Sequence, residues 1–259
     1  MIRITDKNAQ EYIQDIGDWT RGHVEKLNSN GVVIGMSGGM DCSVVARICQ
    51  LAGIDVHLVT MPDGDTMGTH FEDAMQFSQQ FGIPLQVVDI KEPCDAVEHQ
   101  IGIPLGALER SNIRPRIRMT VLYALAQEMG RFVIGTSNLD ERLLGYFTKH
   151  GDGASDFNPL GDITKEEIRI LARHLDLPER IITKPPSAGL EEGQTDEGDF
   201  GFTYKQSNDY IREGTSGNDQ VNKMIEQRIA RNGHKLALAT IYKGLNRLEN
   251  YAKVEYGKN

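Results

Sequence analysis

Hydrophobic positions in the first half of the chain alternate between helical and strand-like spacing. Ile13, Ile16, Val24 and Leu27 recur at about the period of a helix, which the polar run 28–31 ends. Short β-branched runs then predict strands in 31–36, 55–62, 85–90 and 131–136. Helix-length segments between them cover 42–53, 69–82 and 114–130, with a short segment at 93–102. The pattern therefore predicts an α/β fold, with a doubly wound, mostly parallel sheet and helices on both faces.

After Gly135 the pattern changes to a long polar loop. The next helix begins with a capping box, Thr164 and Glu167, and a last helix covers 219–238. Between them, 184–202 is rich in glycine, proline and acidic residues. Composition alone favours a linker here, whereas its position inside a compact domain favours a lid. We expect one domain over 1–259 with this lid segment.

Composition excludes several classes of protein. The chain has 259 residues, a net charge of −9 and three cysteines without metal-ligand or disulfide spacing. No stretch approaches the ~20 apolar residues that span a bilayer. A negative protein does not grip nucleic acid through its phosphates. We therefore expect a soluble, cytoplasmic protein with neither nucleic acid nor membrane as partner, in which any anionic ligand is held locally.

The stretch "GMSGGMDC", residues 35–42, joins the first strand to its helix. A glycine-rich turn there exposes backbone N–H groups beside the positive end of a helix dipole, which suits a phosphate. By itself it is more often a simple tight turn. However, it lacks both the Walker ending and the dinucleotide fingerprint, and Asp41 stands where it could hold Mg²⁺ against phosphates. Ligands of such sheets bind beyond the strand ends, where Ser37 and Thr136 lie.

The loop resembles the pyrophosphate loop of the N-type ATP pyrophosphatases, which release pyrophosphate while adenylating a substrate. Further motifs resemble, in order and spacing, those of the ammonia-dependent NAD synthetases: "NIRPRIRM", "GTSNLDE", "GYFTKHGDG", "DFNPL", "TK", "LPERIITKPPSAGL", "QTDE" and "HK". The resemblance covers most of the chain. It implies that the carboxylate of deamido-NAD attacks ATP, that pyrophosphate leaves, and that ammonia then displaces AMP to give NAD.

The resemblance also implies roles for individual residues. ATP would contact twelve of them: Gly35, Met36, Ser37, Gly38, Gly39, Met40, Asp41, Cys42, Thr136, Lys165, Lys184 and Ser187. Asp41 and Glu141 would bind Mg²⁺, and both count as catalytic. Deamido-NAD would contact Arg116, Lys149, Asp156, His234 and Lys235. Asp152 would bind ammonium and accept its proton.

Several of these residues have a plainer interpretation. Lys165 could be an ordinary first-turn surface lysine, and Glu141 a surface carboxylate at a helix start. The basic run of Arg114, Arg116 and Arg118 could be a solvated helix start, and His234 a surface histidine. Cys42 replaces the serine of most relatives, and we expect it to be a small packing residue or weak donor.

The resemblance further implies a homodimer that binds the dinucleotide across its interface. The apolar stripe of Ile117, Val121, Leu122 and Leu125 fits either core or interface, with core the default. Only 36 residues precede Ser37, so we expect free ammonia rather than an attached amidase domain to supply nitrogen. Two other functions stay open: a tRNA-thiolating relative, and a non-catalytic adenine-nucleotide-binding module.

Overall fold

The computed structural model describes residues 3–64, 68–185 and 195–239. Its strands are β1 (Val32–Gly35), β2 (Val56–Thr60), β3 (Leu85–Val87) and β4 (Phe132–Val133). Its helices are α1 (Ala9–Lys26), α2 (Met40–Leu51), α3 (Thr69–Phe81), α4 (Lys91–Ile101), α5 (Ala107–Met129), α6 (Leu139–Leu144), α7 (Lys165–His174), α8 (Glu179–Thr183), α9 (Asp196–Phe200), α10 (Tyr204–Glu213) and α11 (Asp219–Asn232). A 3₁₀ turn at Gly233–Lys235 follows α11.

The four strands form one parallel sheet in the order β3-β2-β1-β4. Val32 of β1 pairs with Val56 of β2 on one side and with Phe132 of β4 on the other. The chain thus progresses from β1 to β3 in one direction and then returns to the far side of β1. Such a reversal opens a crevice at the carboxyl ends of the strands, where ligands of this kind of sheet bind. The glycine loop after β1 and the segment after β4 flank that crevice.

Alternate residues of β1 supply two separate cores, as the period of a strand requires. Val32 and Ile34 belong to a cluster that α1, α2, α3 and α7 cover. Val33 belongs to the cluster on the other face, under α4 and α5. The predicted doubly wound sheet with helices on both faces is therefore confirmed.

A third apolar cluster joins α6, α9, α10 and α11. Phe200 and Phe202 are buried in it, although they belong to the predicted lid segment 184–202. Residues 186–194 of that segment lie outside the described residues. The lid stays a prediction, whereas the segment's last residues belong to a packed core.

Some boundaries differ from those predicted. Helix α5 begins at Ala107, seven residues before the predicted start, and Pro115 lies inside it. Proline lacks the N–H that a helix interior uses and is better tolerated in the first turn of a helix. Pro115 therefore led to a predicted start next to it. The segment at 93–102 proves to be part of helix α4, and α6 lies in the supposed polar loop. Leu27 is 47% exposed beyond the end of α1 and does not extend its buried face.

Within the described ranges, no helix is long and apolar enough to cross a membrane.

Candidate active site

The glycine loop connects β1 to α2, with Gly39 as the residue that precedes the helix. Gly38 has a φ of +79°, which favours glycine because it lacks a Cβ. A Cβ at this position would lie 2.2 Å from the carbonyl oxygen of His70 in α3. The backbone of the loop is therefore pressed against α3, and its shape depends on a glycine at this position.

Most side chains of the loop point into the protein. Met36, Met40 and Cys42 are buried in the first core, whereas Ser37 is exposed. Ser37 Oγ accepts a hydrogen bond from the N–H of Gly39 at 3.2 Å. Of the predicted ATP contacts in 35–42, the loop thus offers backbone N–H groups, the Ser37 hydroxyl and Asp41, while three side chains serve packing.

The thiol of Cys42 faces the inside of the loop. Its Sγ lies 3.3 Å from Ser37 Oγ and donates to the carbonyl oxygen of Gly39 at 3.2 Å. The side chain is buried, so a substrate would not reach the sulfur without displacing the loop. This geometry supports a packing and weak-donor role rather than a nucleophile.

Cys42→Ser is expected to retain at least about half of the wild-type turnover, because a serine hydroxyl makes the same two contacts. Steady-state turnover with varied ATP checks this, with Cys49→Ser as the control for a buried thiol elsewhere on α2. A Cys42→Ser variant as inactive as a variant lacking the Asp41 carboxylate would contradict the packing role.

Lys165 lies at the start of α7, and its ammonium donates to the carboxylate of Asp41. The residue is only 5% exposed, so its interpretation as a surface lysine is wrong. Burial alone lowers the pKa of Lys165, but the charges of Asp41 and Glu141 raise it well above its ordinary value. Lys165 is therefore a buried lysine that stays charged beside the glycine loop.

Asp140 holds the backbone of Lys165 and is itself held by Ser207. Asp140 Oδ2 accepts from the N–H of Lys165 at 2.9 Å, and Asp140 Oδ1 accepts from Ser207 Oγ at 2.9 Å. Asp140 is fully buried, so these bonds are shielded from water. The sequence analysis did not find Asp140, because no local pattern shows which of the two carboxylates in "DE" faces which neighbour.

Glu141 belongs to a capping box at the start of α6. Asn138 Oδ1 accepts from the N–H of Glu141 at 2.9 Å, and Glu141 Oε2 accepts from the N–H of Asn138 at 3.1 Å. Asn138 Nδ2 also donates to Asp41 Oδ1 at 3.4 Å. Burial, and then the charge of Asp41, raise the pKa of Glu141 above its ordinary value. The structure therefore brings Asp41, Glu141 and Lys165 together. A spacing of asparagine and glutamate three residues apart is the signal that could have identified Asn138.

Asp41 and Glu141 fit a magnesium ion in their chemistry. Both offer hard carboxylate oxygens, and Mg²⁺ is typically bound by one or two carboxylates together with substrate phosphates and water. In the part of the chain that the structure describes, no group of three or more metal-binding side chains forms a complete cage. A two-carboxylate set beside a phosphate loop is consistent with an ion that arrives with its nucleotide.

Basic groups from two distant parts of the chain meet beside α5. Lys149 Nζ donates to the carbonyl oxygen of His234 at 2.9 Å, and Arg116 Nε approaches the carbonyl oxygen of Lys149 at 3.4 Å. Lys235 Nζ donates to the carbonyl oxygens of Gly145 and Phe147 at 2.7 and 2.9 Å. The structure thus brings together four of the five residues predicted for deamido-NAD. The ring of His234 is exposed there.

Asp156, the fifth predicted residue, is bonded to β4. Its Oδ2 accepts from the N–H of Val133 at 2.7 Å, and it lines an open groove of about 390 Å³ with Tyr123, Gln127 and Arg131. The groove runs between α5 and β4.

The basic run on α5 is not simply a solvated helix start. Arg114 forms an ion pair with Asp63, and Arg118 Nε donates to the carbonyl oxygen of Met61 at 3.1 Å. Both arginines thereby hold the segment that follows β2 at the carboxyl edge of the sheet. Arg116 alone in this run is exposed.

The other predicted ATP contacts have varied surroundings. Thr136 is half-buried just after β4, at the carboxyl edge of the sheet. Lys184 Nζ donates to Asp73 Oδ2 at 2.8 Å and lies 3.2 Å from His70 Nδ1, so it is tied to α3 beside the glycine loop. Ser187 lies outside the described residues.

A glycine-rich loop at the reversal point of a parallel sheet, with two carboxylates and a buried lysine beside it, is the arrangement typical of α/β nucleotide-binding proteins. The family model described as NAD synthase matches residues 12–243. The NH(3)-dependent NAD(+) synthetases of Carboxydothermus hydrogenoformans and Archaeoglobus fulgidus are 37% and 36% identical to this chain. Each alignment covers 88% of this chain, with 95% and 94% of the respective relative. The chain belongs to the NAD synthase family.

Solved structures agree with this assignment. An NMN synthetase from Francisella tularensis superimposes with a TM-score of 0.87 and 33% identity, over 91% of this chain and 98% of that one. An NH3-dependent NAD synthetase from Campylobacter jejuni gives a TM-score of 0.77 and 29% identity, over 91% of this chain and 99% of that one.

Proposed function

We propose that this protein catalyses the ATP-dependent amidation of deamido-NAD with ammonia, giving NAD, AMP and pyrophosphate as the final step of NAD biosynthesis. The observation that carries the proposal is the cluster of Asp41, Glu141 and Lys165 beside the glycine loop. A carboxylate is unreactive toward ammonia because its oxygen leaves poorly, and adenylation supplies a good leaving group. The reaction therefore needs groups that position and neutralise phosphates, which this cluster supplies.

The chain's own residues divide the work. The N–H groups of the loop and the Ser37 hydroxyl receive the departing pyrophosphate, and Lys165, whose backbone is held by Asp140, neutralises its charge. Asp41 and Glu141 would hold Mg²⁺, which when bound offsets the negative charge that develops on the phosphates. Arg116, Lys149 and Lys235 would orient the anionic dinucleotide.

The direct experiment mixes purified protein with ATP, Mg²⁺, ammonium and deamido-NAD and follows NAD, AMP and pyrophosphate. We expect the three products in equal amounts. Pyrophosphate release with no NAD, or no release at all, would refute the proposal. Adenylation of tRNA or simple ATP binding without turnover would indicate one of the two other functions.

The similarity to an NMN synthetase favours nicotinate mononucleotide as a second candidate substrate. The reacting carboxylate is the same, and the two substrates differ only in the adenylate half. Comparison of kcat/KM for the two acids with the same enzyme preparation separates them. If kcat/KM is tenfold higher for the mononucleotide, nicotinate mononucleotide replaces deamido-NAD as the proposed substrate.

Asp152 is proposed as the group that binds ammonium and accepts its proton. Its Oδ1 accepts from the N–H of Thr148 at 2.9 Å, on the loop that also carries Lys149. Protein atoms crowded around the carboxyl group raise the pKa of Asp152, although the residue as a whole is exposed.

Asp152→Asn is expected to slow NAD formation about 100-fold while adenylation slows much less, because an amide cannot accept the proton. Rapid-quench measurement of the adenylate then shows accumulation of the intermediate. Wild-type use of ammonium by this variant at neutral pH would exclude Asp152 from that role.

We also propose a homodimer in the cytoplasm. Apolar side chains of α4, of the segment after it and of the start of α5 remain exposed within the described surface: Val97, Ile101, Ile103 and Leu108. Leu108 is 69% exposed. The stripe of Ile117, Val121, Leu122 and Leu125 packs instead against the second core and is half-buried. Sedimentation velocity should give twice the chain mass, and Leu108→Asp should shift it toward the monomer.

A further inference from the structure

Asp196 is a buried carboxylate that the proposed reaction has not used. It is the first residue of α9 and is 3% exposed. Its Oδ2 accepts from the hydroxyl of Tyr204 at 2.6 Å. Its Oδ1 is buried and accepts no hydrogen bond of normal geometry from the described residues, although the Tyr146 hydroxyl lies close enough to lower the pKa of the carboxyl group. An unpaired carboxylate oxygen away from water is costly, so its retention calls for a partner that the resting arrangement does not supply.

The cation whose charge acts on Asp196 is the ammonium of Lys165. The positive charge of Lys165 offsets part of the effect of burial, which raises the pKa of Asp196. The ring of Tyr204, whose hydroxyl holds Asp196, has its centroid 6.0 Å from Lys165 Nζ. Asp196 therefore lies on the Tyr204 side of Lys165, while Asp41 holds the ammonium from the loop side.

Both oxygens of Asp41 already accept a hydrogen bond in this arrangement, Oδ2 from Lys165 and Oδ1 from Asn138. Each oxygen keeps a lone pair for a metal ion, but a divalent cation at Asp41 competes with the ammonium for the same negative charge and repels it. The backbone of Lys165 is fixed by Asp140, so only the ammonium end can move. A buried ammonium that loses its partner requires another one nearby.

We propose that Asp196 is a positioning residue that serves as the second counter-ion of Lys165. It receives the ammonium when a divalent cation occupies Asp41, so that Lys165 is not left unpaired inside the buried site. The part concerning the metal rests on the proposed function. The exchange of partners itself is a property of the folded chain.

The first test is a thermal double-mutant cycle on the protein without nucleotide or metal, using Asp41→Asn and Asp196→Asn. With Asp41 present, loss of the Asp196 charge should change the unfolding midpoint little. With Asp41→Asn, Lys165 depends on Asp196, so the double variant should unfold about 2–4 °C below the sum of the single effects. Additive midpoints would overturn the proposal.

Asp199→Asn provides the matched control for this cycle. Asp199 lies three residues further along α9 and also accepts from a tyrosine hydroxyl, that of Tyr146 at 2.6 Å, but it is exposed. The changes in unfolding midpoint caused by Asp199→Asn and Asp41→Asn should add. Coupling of equal size in the control would mean that α9 as a whole, rather than the Asp196 charge, produces the effect.

The second test needs no variant of Asp41. Calorimetry gives the ATP affinity of Asp196→Asn in EDTA and in excess Mg²⁺. We expect about tenfold weaker binding than wild type with Mg²⁺ and an unchanged affinity in EDTA, because Asp41 still holds Lys165 when no metal is present. Equal weakening in both solutions would show a merely structural role and overturn the proposal. If the double-mutant cycle shows the expected coupling but the protein forms no NAD, only the substrate assignment is refuted.

Discussion

Glu141→Gln is expected to lower kcat at least about 100-fold and to leave the unfolding midpoint within about 2 °C of wild type. Glutamine serves at the third position of a capping box as well as glutamate does, so its oxygen can still accept from the N–H of Asn138. The charge is lost, however, and with it one of the two ligands proposed for Mg²⁺. Turnover at saturating substrates and a thermal melt measure the two quantities separately.

Glu167→Gln is the matched control, because Glu167 holds the same position in the capping box of α7. Its Oε1 accepts from the N–H of Arg3 at 2.8 Å, so its role is to join the chain's start to α7. We expect turnover within a few-fold of wild type and a lower unfolding midpoint. Wild-type turnover in Glu141→Gln would remove Glu141 from the active site.

Gly38→Ala is expected to reduce kcat/KM for ATP about 100-fold. The new Cβ would lie 2.2 Å from the backbone oxygen of His70, and neither backbone can yield without moving the loop or α3. The positive φ of +79° adds strain of about 1 kcal/mol. Displaced N–H groups no longer converge on the phosphates, so the loss should appear in ATP binding.

Gly53→Ala isolates the strain from the collision. Gly53 has a φ of +73° just beyond the C-terminus of α2, and a Cβ there would meet nothing within 4 Å. It should lower the unfolding midpoint by a few degrees and leave kcat/KM unchanged. If Gly38→Ala bound ATP as tightly as Gly53→Ala, the loop would not be the phosphate site.

Sequence reasoning succeeded where the cause of a structure is local. The apolar run of β1, the glycines after it and the capping box of Thr164 each depend on neighbours within a few residues, and the structure contains all three. It did less well with the short strands β3 and β4, because their pairing with β2 and β1 decides where they end.

The surroundings of the site residues depend on contacts between distant parts of the chain. From the sequence alone, Lys165 could be either exposed or buried. Only its contact with Asp41, 124 positions away, distinguishes the two. Asp140 and Asp196 were missed for the same reason. The capping box of Asn138 is local and could have been identified, but its bond to Asp41 could not.

The anchoring of Lys165 has a consequence for how the enzyme is made. The contact between Asp41 and Lys165 spans 124 positions, and that between Asp140 and Ser207 spans 67. Contacts of such long range close late in folding, after local helices have formed. A chain emerging from the ribosome therefore completes the anchor of Lys165 only once α10 has been synthesised and docked. ATP bound at the proposed site would stabilise only the completed fold, by an amount that grows with the logarithm of its concentration relative to the dissociation constant.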